Sequence, residues 1–170
     1  MSDETTFPST RTVASENGRR GSEMKLLVGV DGSEGSAAAL RWATRLAAAT
    51  GAEVVVVHVI EPPDYDLRPL GLPRAILNET DWRDAIAGEL EGAWCEPLVH
   101  AGVRHRALIE EGRAGPCLAA LAAQEHADLL VTGRRGLSGL AELVQGSVSS
   151  YVTHHAPCPV VVVPMEHQAA

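Results

Sequence analysis

Four short runs of branched apolar residues constrain this chain more than any other feature: residues 25–30 (KLLVGV), 53–60 (EVVVVHVI), 127–132 (ADLLVT) and 159–163 (PVVVV). They are continuous rather than alternating, the pattern of strands covered on both faces, which parallel sheets require. A fifth run, 103–109, alternates and is more polar. Helical spacing fills the gaps. Residues 36–50 set Leu40, Trp42, Ala43, Leu46 and Ala47 along one side, and Gly51 supplies a stop. Residues 80–101 repeat Trp82, Ile86, Leu90, Trp94 and Leu98 every four positions, with Pro97 expected to kink or split the helix. Gly115-Pro116 opens a third helix, with Pro at its first position, and 147–154 form the last. The expected fold is α/β: an open five-stranded parallel sheet with helices on both faces, Rossmann-like. One domain is expected over 23–166. A polar tail, 1–22, is read as disordered, and a short C-terminal tail covers 167–170.

Such sheets bind ligands beyond the carboxyl ends of their strands, where strand order reverses. After the run at 127–132 comes Gly133-Arg134-Arg135-Gly136, and nine residues further Gly146-Ser147, a G-x2-G-x9-G-[ST] pattern leading into a helix. Gly133 and Gly136 allow a tight turn and close approach to an anion. Gly146 and Ser147 open a helix whose unpaired N–H groups and dipole favour negative charge. The Ser147 hydroxyl could cap its own helix or donate to a phosphate oxygen. A glycine-rich loop with an ordinary serine cap has the same spacing, so spacing alone leaves both readings open. The first run ends in Gly29-Val30-Asp31-Gly32-Ser33, where Asp31 suits two ribose hydroxyls or a helix cap. Ser33 or Ser36 could take the cap instead. The backbone of His58-Val59-Ile60 could read an adenine edge. The segment 61–78, with Pro62, Pro63, Pro69 and Pro73, is long enough to be a mobile cover over that edge.

Several classes fall away. The net charge of −8 argues against a nucleic-acid or anionic-membrane surface. No apolar run approaches the roughly 20 residues that span a bilayer, and the N-terminus lacks the apolar core of a signal peptide. Lys25 is the only lysine and has no GxxxxGK[ST] around it, which excludes a P-loop NTPase. Pyridoxal-phosphate chemistry is equally disfavoured. Cys95, Cys117 and Cys158 make no CxxC, and a reduced, cytoplasmic compartment is the simplest reading. Adjacent His154 and His155 with Cys158 make a poor zinc site, no GxSxG surrounds Ser147, and no GxGxxG supports NAD. Trp82 and Trp94 read as core or interface. No catalytic residue and no protein-held metal are expected.

Taken together, Val-Gly-Val-Asp-Gly-Ser at 28–33, Val-Val-His-Val at 56–59, Ala-Asp-Leu-Leu-Val-Thr-Gly at 127–133, the glycine motif, and His-Ala-Pro-Cys-Pro-Val-Val-Val-Val at 155–163 resemble the universal stress protein family, specifically its ATP-binding branch. The similarity runs from Met24 to Pro164. It implies a sheet of the adenine-nucleotide α-hydrolase type. By the resemblance, Asp31 would hold the ribose hydroxyls, Gly29 with Val30 beside it would line the nucleotide, and Val59 would bond adenine through its backbone. Thr132 and Gly133 would flank the ribose and α-phosphate. Gly136, Gly146, Ser147 and the Val148 amide would cradle the phosphates of ATP, with Mg2+ or Mn2+ bridging them. Arg134 and Arg135 replace a small residue of the pattern. They would neutralise the terminal phosphate or form a solvated basic turn.

The resemblance implies a regulatory ATP-binding module responding to stress or energy state. A slow Mg- or Mn-dependent ATPase is the enzyme alternative, and a pure interaction module is the alternative if ATP does not bind. Relatives pair through the last strand, so a homodimer joined between Pro159 and Val163 is expected, since a bare apolar edge invites pairing.

Overall fold

A computed structural model describes residues 11–13, 24–61, 79–134, 136 and 146–165. The strands are β1 (Arg11–Val13), β2 (Lys25–Val30), β3 (Glu53–Ile60), β4 (His105–Glu111), β5 (Leu129–Gly133) and β6 (Val160–Val163). They form one sheet in the order β1-β4-β3-β2-β5-β6. The five strands from β2 to β6 are parallel, as expected. β1 is an addition: it pairs antiparallel with β4, Thr12 opposite Leu108. Residues 11–13 therefore correct the expectation of an unstructured tail. The rest of 1–22, the C-terminal tail 167–170 and the proline-rich stretch 62–78 lie outside the described residues.

Both faces of the sheet are covered, which is why its strands read as unbroken apolar runs. Leu26, Val28, Val54, Val56 and Val131 pack on one face against Ala39 and Ala43 of α1 (Glu34–Thr50) and against Leu90 and Leu98. Leu27, Val55, Val57 and Leu130 pack on the other against Leu118 and Leu121 of α4 (Ala114–Gln124) and Val152 of α5 (Ser147–His155). Alternate residues of each strand thus enter opposite cores. Helix α1 is capped at both ends. Ser33 Oγ accepts from Ser36 N at 3.2 Å, and Gly51, at φ +75, donates its N–H to Ala47 O at 2.8 Å.

The helix expected over 80–101 is split into α2 (Glu79–Glu89), a π-helical turn (Leu90–Trp94) and α3 (Glu96–His100). Pro97 stands in the first turn of α3, where its missing N–H costs nothing. Pro116 is the third residue of α4 rather than the first, tolerable for the same reason. Two strand boundaries move. The 127–132 strand begins at Leu129, because Ala127 N closes the end of α4 on Ala122 O and Asp128 Oδ2 accepts from Lys25 N. The 103–109 strand begins at His105, because Val103 N is held by Leu98 O.

The amino edge of the sheet is tied by charge. Lys25 Nζ lies 3.2 Å from Glu125 Oε2, Arg106 also pairs with that oxygen, and Arg106 Nε reaches Glu53 Oε1 at 3.3 Å. Burial pushes the Glu125 carboxyl up, but bonding and charge from Arg106, then from Lys25, outweigh it and hold the carboxyl below its ordinary value. A lowered folded-state value means the stabilisation is present above the unfolded value and is lost as pH falls through the folded one. Glu125→Gln is therefore expected to cost about 1–3 kcal/mol at neutral pH, with the gap closing below the usual carboxylate range. Urea denaturation of both proteins across pH checks this.

Candidate functional site

The sheet order places the reversal between β2 and β5. At their carboxyl ends lies a cleft of about 480 Å³. Gly29, Val30 and Asp31 line it from the end of β2, and Val59 lines it from β3. Thr132, Gly133 and Arg134 line it at the end of β5, and Gly136, Gly146, Ser147 and Val148 where the chain enters α5. Every position singled out from the sequence is thus brought to one place. Arg135 lies outside the described residues.

The β2 end is organised around Asp31. Its Oδ1 accepts from Ser33 N at 3.0 Å and from Ser33 Oγ at 2.5 Å. Ser33, not Asp31, caps α1, so the carboxylate supports the cap rather than being it. The other oxygen faces Gly136, where a side-chain carbon would overlap Asp31 Oδ2. Gly133 is glycine for a different reason. A Cβ there would stand 2.5 Å from the Gly35 carbonyl and 3.0 Å from Ser36 N, backbone atoms of α1 that cannot yield.

Gly146 removes one of the two alternatives for Ser147. It is the N-cap of α5, at φ −68 and ψ 156, so Ser147 is the first helical residue and does not cap. The first donor bonded within the helix is Ser150 N, to Gly146 O at 3.0 Å. The N–H groups of Ser147 and Val148 therefore belong to the unpaired set of the first turn, and both residues line the cleft. Gly146 N donates to Arg134 O at 2.9 Å, and Arg134 N to Val163 O at 2.8 Å, so α5 starts in register with the sheet.

Between these groups sits Thr132, 3% exposed, whose Oγ1 has no hydrogen-bond partner among the described residues. An unsatisfied buried hydroxyl costs about 1–3 kcal/mol. A phosphate or hydroxyl oxygen in the cleft is the kind of partner it lacks. The residues present fit an anionic, hydroxyl-bearing ligand: convergent N–H donors at one end, apolar walls from Val57, Ile60 and Leu118, and Arg134 to offset Asp31 and Glu61.

Sequence reasoning considered His58 only for its backbone and missed Glu61 and Ser149 as lining residues. His58 Nδ1 lies 2.9 Å from Val30 O, and its ring stands edge-on to Trp94 at 5.2 Å. Trp94 in turn packs on the turn at Gly32. Glu61 Oε1 accepts from Ala114 N at 2.8 Å, capping α4, whose own N-cap Arg113 gives no side-chain bond. Ser149 is buried beneath the start of α5. None carries a spacing signal; strand pairing and helix packing bring them in. Among the described residues, no three His, Cys, Asp or Glu side chains gather as a metal would require. His154 and His155 each place Nδ1 on the carbonyl four residues back, and His155 stacks on Tyr151 at 4.1 Å.

The Gly133 contact yields an expected outcome that is independent of any ligand. Gly133→Ala forces β5 from α1 and should cost about 1–3 kcal/mol in the unliganded protein. Equilibrium denaturation measures it; an unchanged midpoint would show that the contact relaxes freely.

Comparison with known proteins adds the following. A sequence model of the Universal stress protein family matches residues 24–164. A universal stress protein of Thermus aquaticus is 37% identical over 143 residues, covering 81% of this chain and 96% of the relative. The structure of the universal stress protein UspA from Lactobacillus plantarum superposes with a TM-score of 0.71 at 26% identity, covering 85% of this chain and 99% of that one. A universal stress protein solved in complex with cAMP superposes with a TM-score of 0.58 at 28% identity, covering 84% and 98%. Among the described residues, no helix is long and apolar enough to cross a membrane.

Proposed function

Because the chain belongs to the universal stress protein family, we propose that its cleft binds an adenine nucleotide, ATP, and that the protein is a regulatory module of stress or energy-state response. The observation that carries this reading is the Thr132 hydroxyl, without a partner among the described residues and buried between the glycines of the motif and the first turn of α5. The neighbour solved with cAMP supports the ligand class. In this reading Asp31 holds the ribose hydroxyls, and Val59 meets adenine through its backbone. Thr132 and Gly133 flank the ribose and first phosphate. Gly136, Gly146, Ser147 and Val148 receive the remaining phosphates on N–H donors, and Arg134 adds charge. Mg2+ or Mn2+, bound through the phosphates, would offset charge that a molecule at −8 otherwise repels.

Calorimetric titration of nucleotide-stripped protein with Mg-ATP tests this beside Gly146→Asp. The backbone at Gly146 suits any residue, and aspartate is a good N-cap, so the variant keeps its helix while setting a carboxylate against the phosphates. Binding by the parent and its loss in the variant is the expected result. No binding by the parent would leave an interaction module. Accumulation of ADP with bound metal would mark a slow hydrolase instead of a sensor.

The same reading includes a homodimer. β6 is an edge strand of four valines, three of them only partly buried, and among the described residues its outer side has no partner. Pairing of β6 with its mate would close that edge. Light scattering at micromolar concentration should give twice the chain mass, and Val162→Lys should give the chain mass; a monomeric parent refutes the dimer. We place the protein in the cytoplasm, on its three free thiols. Cys95 is buried, and burial first and Glu91 second push its thiol up to about 11, which keeps it protonated and inert.

A further inference from the structure

Ser149 has no role in the nucleotide reading as it stands, yet it is 2% exposed, lies in the first turn of α5 and lines the cleft. Its Oγ is 3.0 Å from Gly146 O and 3.1 Å from Arg134 O. The first contact is the ordinary local bond of a helix serine to a carbonyl three residues back. The second is not local. It spans fifteen positions and ties α5 to the residue that follows β5. Arg134 O also accepts from Gly146 N at 2.9 Å, and Arg134 N is anchored on Val163 O at 2.8 Å. Ser149 has one hydroxyl proton for the two carbonyls, and Arg134 O, with two lone pairs, can take it beside the Gly146 N–H.

We propose that Ser149 is a positioning residue for phosphate: its hydroxyl pins the first turn of α5 to Arg134, so that the Ser147 and Val148 amides stay placed against Thr132 and Gly133. This rests on the adenine-nucleotide reading. The body of α5 is held by the packing of Val152, and its N-cap by the Gly146 N to Arg134 O bond. A second link from three residues further along fixes the angle of the first turn. The hydroxyl is buried, so water does not replace it when it is lost. Donors serve an anion only while distance and angle hold, and a displacement of about 1 Å forfeits most of the bond. Asp31 and Val59, which meet the ribose and the base in this reading, stand at the ends of β2 and β3 and do not depend on this pin.

The test is calorimetry on the full chain with ATP and with adenosine, for the parent, Ser149→Ala and Ser149→Thr. Ser149→Ala should weaken ATP roughly tenfold and leave adenosine unchanged, and Ser149→Thr, which keeps the hydroxyl, should restore ATP. In the unliganded Ser149→Ala protein, the amide resonances of Ser147 and Val148 should shift while that of Val59 stays. Equal losses for ATP and adenosine would mean a merely structural serine and overturn the proposal, as would unchanged ATP binding. Should adenosine bind too weakly to titrate, or Thr fail to fit, unshifted Ser147 and Val148 amides overturn it on their own. A parent that binds neither ligand overturns the nucleotide reading and this one with it. A parent that binds ATP, with no effect of Ser149→Ala, overturns this one alone.

Discussion

The contact between Gly133 and the first turn of α1 is the constraint on which the rest of the site depends. β5 can end against the Gly35 carbonyl and Ser36 N only because no side chain separates them. That approach brings Thr132 and Gly133 level with Asp31 across the reversal in strand order. A chain with alanine there would have to open the joint between β2, β5 and α1, and the cleft would lose its floor. The same glycine that reads as a phosphate residue in the motif is thus first a packing residue. Close backbone approach serves the core before it serves a ligand.

Two kinds of polar order meet at this joint. On the β2 side, Asp31 supports Ser33, and Ser33 caps α1. On the β5 side, Arg134 is held by Val163 and in turn holds Gly146. Each side fixes a helix start by backbone carbonyls and short side chains, not by long charged ones. Short groups lose little entropy on ordering, so they keep donors in place at small cost. Lys25, Arg106, Glu53 and Glu125 make long charged pairs at the opposite edge of the sheet, where they tie strand ends together away from the cleft. In a molecule at −8, the cleft side of the sheet thus keeps oriented N–H groups and Arg134, while the carboxylates of those ion pairs lie at the other edge.

Much of this was legible in order. Continuous valine runs told of strands buried on both faces, and the two core clusters show alternate residues of β3 entering opposite sides. The spacing of Gly133, Gly136 and Gly146 located the cleft because glycine is informative wherever a backbone must approach another group. Boundaries were less legible. β4 and β5 begin two residues later than the apolar pattern, since Val103 and Ala127 are buried by capping turns rather than by the ladder. β1 had no signal: three residues in a polar stretch, paired through backbone atoms with β4, carry no pattern of their own.

The sequence by itself determined the alternation of strand and helix, the two-sided burial of the sheet and the positions where backbone can come close. These follow from side-chain volume and polarity read in order along the chain. Only the tertiary structure decided that Gly146 rather than Ser147 caps α5, that Asp31 supports a cap without being one, and that Thr132 is buried without a partner among the described residues. It alone set Ser149 on Arg134 and Glu61 on α4. Hydrogen bonds of this kind depend on distance and angle between groups far apart in the chain, and those are fixed only when the sheet and both helix layers have closed on one another.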